Sequence, residues 1–162
     1  MKESPTDIRQ SFCTFRLDGH LFGVDIRDVR EVTTETTSTP IAHAPDEVLG
    51  LVNIRGHIYL ALDLRSLLGM PVTRVGSDSR LVLFKPAVGT AFGVVVDDIS
   101  EIHAAAPDLI EPFSANSHDV GAAGIGRVDL ITAVCRLPEE LLVILNPRKF
   151  LSIVEQNFAR SA

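Results

Sequence analysis

"FGVDIRDVREV", residues 22–32, returns as "FGVVVDDISEI" at residues 92–102, and the echo decides how the chain is to be read. The two copies align without a gap. Phe22/Phe92, Gly23/Gly93, Val24/Val94, Asp28/Asp98 and Glu31/Glu101 are identical, while Ile26/Val96, Val29/Ile99 and Val32/Ile102 keep apolar character. Carried backwards, the same offset pairs Gly19 with Gly89. A second echo closes each half: "LALDLRSLL" (60–68) matches "VILNPRKFL" (143–151), with Asp63/Asn146 and Arg65/Arg148 in step.

The period of the apolar residues says what each unit is. "FCTFRLDGHLFGVDI" alternates on both sides of Asp18-Gly19, a dipeptide that tolerates the positive φ of a tight hairpin turn, and "RLVLFKPAVGTAFGVVVDDI" does the same around Gly89. Sustained helical periodicity is scarce. Asp63 and Asn146 stand where an N-cap belongs, and Pro147 falls at a first helical position, where its missing donor costs nothing. "NPRKFLSIVEQNFARSA" carries apolar residues at 150, 151, 153, 154 and 158, the pattern of a terminal amphipathic helix. "TTETTSTP" (33–40), "GMPVTRVGSDSR" (69–80) and "FSANSHDVGAAG" (113–124) read as loops. Two such half-units predict a mainly β protein of paired small barrels, an arrangement that removes exposed strand edges. Residues 1–11 are expected to be a flexible lead-in. Residues 12–162 are expected to form one domain of two halves, approximately 12–80 and 81–151, plus a C-terminal helix.

With 162 residues, 46% of them apolar and 22% charged, the chain can bury about two thirds of its unfolded surface and needs no staple or metal to fold. Its formal net charge is −6, and no Lys/Arg cluster is long enough to make a basic stripe, which argues against nucleic acid as a partner. Cys13 and Cys135 lie far apart with no C-x-x-C, which suits a reducing compartment and two small buried hydrophobes. "MKESPTDIRQ" lacks the apolar region of a signal peptide, and no apolar run approaches the roughly 18 residues of a membrane span. A cytoplasmic protein with no direct membrane insertion is expected.

The one stretch that could conceal chemistry is "GLVNIRGHIYLALDLRSLLG" (50–69). Even positions from Val52 to Leu62 are apolar apart from Gly56, and Asn53, Arg55 and His57 occupy the odd ones, so the polar set is expected to face away from the core, with Gly56 marking a bulge or close backbone approach. It offers no carboxylate pair and no nucleophile beside a base. The five histidines are dispersed, none at the spacing of a metal-binding helix face. Asp97-Asp98 could mimic a metal pair, but the other copy of the repeat reads Arg27-Asp28. "GIGRVD" (124–129) lacks the lysine and third glycine of phosphate-binding loops. No enzyme, no cofactor and no metal site is expected.

The order F-x-[IV]-D-I-x-x-V-x-E-[IV], G-x-x-N-[IL]-R-G, D-L-R, [FV]-G-[IV]-V-V-D-x-[IV]-x-[ED]-[IV], present here as "FGVDIRDVREV", "GLVNIRG", "LDLR" and "FGVVVDDISEI", followed by "LLVILNPRKFL", resembles CheW, the adaptor of bacterial chemosensory arrays. The match runs from about Phe12 to Leu151. The resemblance implies two packed five-stranded SH3-like β-barrels with short helices and a groove between them. It also implies a non-catalytic scaffold coupling the cytoplasmic tip of a methyl-accepting chemoreceptor to a CheA-type histidine kinase, at the inner face of the membrane in receptor arrays. Carried over by position, Val29, Leu81 and Val82 would line the receptor groove, and Glu31 and Arg55 would support the kinase-facing surface, paired with each other. Two positions depart from the pattern: Leu60 stands where a proline is usual, restoring a backbone donor, and Ala133 stands where a glycine is usual and would have to accept its backbone angles. No receiver domain follows, so a stand-alone adaptor is expected rather than the receiver-fused type. The alternative is an OB-like small-barrel module for oligonucleotide or oligosaccharide. Such platforms want surface aromatics and basic residues, whereas this chain has no tryptophan and a single tyrosine, Tyr59.

Overall fold

Asp18 and Gly19 both adopt left-handed backbone angles (φ 51° and 79°) and join β1 (Gln10–Leu17) to β2 (His20–Asp25) with Leu17 facing His20. The computed structural model describes residues 9–114 and 124–161. Residues 1–8 of the expected lead-in, most of the 113–124 loop and His118 lie outside them. The first strand begins at Gln10, slightly ahead of the expected boundary at 12.

The chain continues through β3 (Val29–Thr33), β4 (Val48–Ile54), β5 (His57–Asp63), helix α1 (Leu64–Leu68), β6 (Arg80–Phe84), β7 (Phe92–Val96), β8 (Asp98–Ala105), β9 (Ile110–Pro112), β10 (Ile131–Arg136), β11 (Leu141–Leu145) and helix α2 (Phe150–Ser161). Both expected caps form. The Asp63 carboxylate accepts from the Arg65 and Ser66 amides, and Gly69 closes α1 in the left-handed conformation. The Asn146 side chain accepts from the Arg148 amide, and Pro147 opens the single turn that leads into α2. Phe150, Ile153 and Val154 are buried beneath α2, as its apolar stripe requires.

The fold is mainly β, but its two sheets do not follow the 12–80 and 81–151 halves. One is six-stranded, in the order β8-β1-β2-β11-β10-β9, and the other five-stranded, in the order β3-β6-β7-β5-β4. Each sheet therefore combines the leading hairpin of one half with the later strands of the other. The repeated motif is where the chain changes sheets. In its first copy β2 passes through a single turn at Ile26–Asp28 into β3, and in its second β7 passes through Asp97 into β8. The joins are equivalent as well. β2 runs parallel to β11 as β7 does to β5, and β1 pairs antiparallel with β8 as β6 does with β3, each of these last two pairings with one irregularity. A duplicated sequence has thus folded as two halves that have traded their hairpins.

Alternate residues of each strand serve different cores. Leu81 and Leu83 fill a cluster with Val52, Ile54, Tyr59, Ala61 and Val95 inside the five-stranded unit. Phe12, Leu21, Ala133, Cys135, Leu142 and Ile144 do the same in the six-stranded one. The opposite faces, including Phe15, Phe22, Val82, Phe84, Phe92 and Val94, meet in one large shared core that α1 and α2 complete.

The 50–69 stretch is two strands rather than one. Arg55 and Gly56 take left-handed angles (φ 50° and 86°) and turn β4 into β5. Because Val52 then faces Tyr59 and Ile54 faces His57, the inward parity flips across the turn. Tyr59 and Ala61 are buried, and Ile58 is left exposed. Gly56 is thus a turn residue rather than a bulge. Leu60 lies inside the sheet between β4 and β7, and its N–H donates to the Ala91 carbonyl at 2.9 Å, a bond proline could not make. Ala133 is not among the residues with positive φ; it sits in β10 beside a register shift and packs among the inner cluster of the six-stranded unit.

Two arginines fasten the crossovers. Arg65, at the start of α1, donates from Nε to Asp97 at 2.9 Å, pairs with the second carboxylate oxygen through Nη2, and reaches the Pro71 carbonyl at 3.0 Å. Asp97 also accepts from the Asp18 amide at 2.8 Å. In the equivalent place Arg148 reaches Asp28 at 3.2 Å and the Ala87 carbonyl at 2.8 Å. In both cases the arginine comes from one half and the aspartate from the other. Burial works to raise the Asp97 carboxyl, but the Arg65 guanidinium and the Asp18 amide outweigh it and hold its pKa below the ordinary value. At Asp63 burial wins over the first-turn amides and raises the pKa.

Two outcomes follow. A Cβ on Gly93 would stand 2.6 Å from the Val82 carbonyl oxygen, so Gly93→Ala should cost about 2 kcal/mol or more by urea denaturation. Arg65→Ala should cost about 2 kcal/mol at neutral pH. Because the Asp97 pKa is depressed, its contribution is present above the unfolded carboxylate value of about 4 and fades as pH falls through the folded one. The gap between the wild-type and Arg65→Ala urea midpoints should therefore narrow below about pH 4.

Candidate functional site

β3 is an edge strand whose two faces carry different chemistry. Val29 lies opposite Phe84 and Val32 opposite Val82, so this pair shares the face directed to the large core. Val29 is half-buried and packs against that core, and Val32 remains 38% exposed. Glu31, opposite Leu83, points to the other face.

There it meets the β4–β5 turn. Asn53 accepts the Gly56 N–H at 2.8 Å and so holds the turn closed, while left-handed Arg55 projects from its tip. The Arg55 guanidinium forms an ion pair with the Glu31 carboxylate, the pairing that the resemblance implied. The Arg55 side chain is 70% exposed and that of Glu31 27%. Such a pair contributes on the order of 1 kcal/mol or less to stability, so it is available for recognition at little cost to the fold. Beside it, Arg30, His57, Ile58, Pro86 and Thr90 line a shallow groove, with Ile58 51% exposed.

Leu81 and Val82 are not groove-lining side chains. Both are fully buried, and as neighbours on one strand they point opposite ways, Leu81 into the interior of the five-stranded unit and Val82 into the shared core. Of the three positions assigned to a receptor groove, only Val29 retains exposed surface. Its accessible companion is Val32, which the repeat hid because its partner Ile102 reads equally well as a core residue. Ile102 is itself 67% exposed on β8. Ile58 was hidden by the unrecognised turn, for which Asn53 three residues before Gly56 is the signal.

Among the described residues no three His, Cys, Asp or Glu side chains gather as a metal would need, and Asp97 is held by Arg65. Cys13 and Cys135 are free thiols in the cores, and burial raises the pKa of both, with Glu111 adding to the effect at Cys135, so neither is a ready thiolate. No helix among the described residues is long and apolar enough to cross a membrane.

The family model described as a CheW-like domain matches residues 11–155. A chemotaxis protein CheW from Klebsiella aerogenes is 30% identical over 149 residues, covering 91% of this chain and 85% of its own length. A probable chemotaxis protein CheW from Rhizobium etli is 30% identical over 122 residues, 71% of this chain and 76% of its own. Among solved structures, the scaffolding protein TtCheW from Thermoanaerobacter tengcongensis superposes with a TM-score of 0.73 at 24% identity, covering 85% of this chain and 89% of that one. The two sheets are accordingly the expected pair of SH3-like barrels. With its duplicated crossover motif, its N-I-R-G turn and its D-L-R cap in the places described, the chain belongs to the CheW-like family, the scaffold family of chemotaxis signalling.

Proposed function

We propose that this protein is a non-catalytic adaptor that couples the cytoplasmic tips of methyl-accepting chemoreceptors to a CheA-type histidine kinase, working in the cytoplasm at the inner face of the membrane within receptor arrays. The observation that carries the reading is the two-sided strand β3, apolar at Val29 and Val32 on one face and charged at Glu31 on the other. A receptor's helical tip would lay its apolar stripe along Val29 and Val32, over the floor that Val82 and Phe84 provide from the next strand. The kinase would read the Glu31–Arg55 pair, where charge complementarity selects the partner more than it strengthens binding. Membership of a chemotaxis family and relatives named as chemotaxis proteins support the pathway. The receptor and kinase themselves are inferred from the resemblance.

Titration of purified variants tests the two surfaces separately. Val29→Asp would place a carboxylate where a receptor helix must exclude water, and should weaken receptor binding by about tenfold or more while kinase binding stays within about twofold. A variant with a wild-type melting curve and unchanged receptor affinity refutes the assignment. Glu31→Lys sets two cations against each other at the turn and should weaken kinase binding by about tenfold with little change toward receptor fragments. Equal losses toward both partners would contradict separate surfaces.

A further inference from the structure

We propose that each half of this protein recognises the other half independently of the covalent link between them, so that a second copy of the chain can supply either half and two copies can close into a half-exchanged dimer. Both sheets require strands from both halves. The β1–β8, β2–β11, β3–β6 and β5–β7 pairings and both arginine fastenings cross the boundary between them. What joins the halves covalently is the segment between buried Met70 and buried Ser79. Residues 71–78 in that segment are exposed and belong to no strand or helix. Its bonds stay within the segment or reach adjoining residues of the first half: the Gly76 amide donates to Ser79 Oγ at 2.9 Å, Arg80 donates to the Ser77 carbonyl at 3.0 Å, and the Arg65 guanidinium donates to the Pro71 carbonyl at 3.0 Å. A stretch of this length reaches about 28 Å when extended. Redirecting it to a neighbouring molecule preserves every inter-half hydrogen bond, which is why exchange of this kind is a low-cost route to dimers.

The exchange is between unlike halves. Each fastening joins unlike halves: Arg65 of the first half meets Asp97 of the second, and Arg148 of the second meets Asp28 of the first. The unlike pairing restores an attraction at both crossovers.

Full-length chains test this directly. Arg65→Asp and Asp97→Arg are introduced into separate chains carrying different tags. Refolded alone, each has like charges at one crossover. In a half-exchanged heterodimer, by contrast, the two introduced charges meet as a reversed pair in one unit and the native Arg65–Asp97 pair reforms in the other. When the two variants are unfolded together and refolded at high concentration, a species of about twice the monomer mass carrying both tags should form, melting above either variant refolded alone. Should the reversed pair be too crowded beside Asp63 and Asp18 to fold, the more exposed fastening gives the same test with Asp28→Arg in one chain and Arg148→Asp in the other. A two-tag dimer from either mixture supports the proposal. Recovery of only monomers, each melting as it does alone, from both mixtures overturns it.

Discussion

The structure depends on the trade of hairpins between its halves. Neither sheet is complete within one half, because the parallel joins β2–β11 and β5–β7 each bring together strands from opposite sides of the duplication. Parallel neighbours cannot be linked by a tight turn; they need a crossover, and here residues 64–91 lie between β5 and β7 and residues 26–140 between β2 and β11. The two motifs at which the chain leaves one sheet for the other are therefore the points of greatest constraint, and each is fastened by an arginine whose own backbone sits at the start of a closing helix. Helix cap, guanidinium and crossover form one unit: Asp63 or Asn146 fixes the first turn, the turn aims the arginine, and the arginine holds the aspartate of the opposite half.

This arrangement also positions the candidate surfaces. β3 begins immediately after the first crossover, so its register against β6 is set by the same turn that changes sheets. A register shift between Val29 and Glu31 then lets Val29 and Val32 share one face while Glu31 reaches the other. A short edge strand can serve two different partners because period-two geometry separates its side chains, and because the buried strand behind it, β6, supplies a rigid floor. The fully buried Leu81 and Val82 matter in that way, through where they hold β3 rather than through contact.

The repeat, the tight turn at Asp18-Gly19, both capping residues and the amphipathic helix were all legible, since each is encoded within a dozen residues by a local preference. The strand trade was not. Alternation reveals which face of a strand is buried, but not which distant strand lies beside it, and the two halves would give the same pattern whether each closed on itself or on the other. Arg55-Gly56 escaped because the alternation runs straight through it in the sequence: apart from Gly56, apolar residues continue on even positions across 52–62, although the turn reverses their direction. A strongly buried strand such as β6 is apolar on every residue from Leu81 to Phe84 and so looks like a surface with affinity for a helix, when it is in fact buried on both sides. Only the fully resolved pairing separates the strand that forms the floor from the strand that meets a partner.

The pairing of β1 and β2 with β8 and β11 has a consequence for biosynthesis. A chain emerging from the ribosome displays its first hairpin long before the strands that must flank it exist, and the five-stranded unit has all its strands once Val96 is out, while the six-stranded unit must wait for residues beyond 140. Until then β2 has no β11 beside it, and the hairpin has only its own two strands and, once Ala105 is out, β8 as sheet neighbours. Contacts this distant in sequence form slowly and leave sticky surface uncovered meanwhile. The early hairpin thus waits longest, among the strands of the fold, for its final sheet neighbour, and apolar surface left uncovered in that interval is what chaperones shelter during translation.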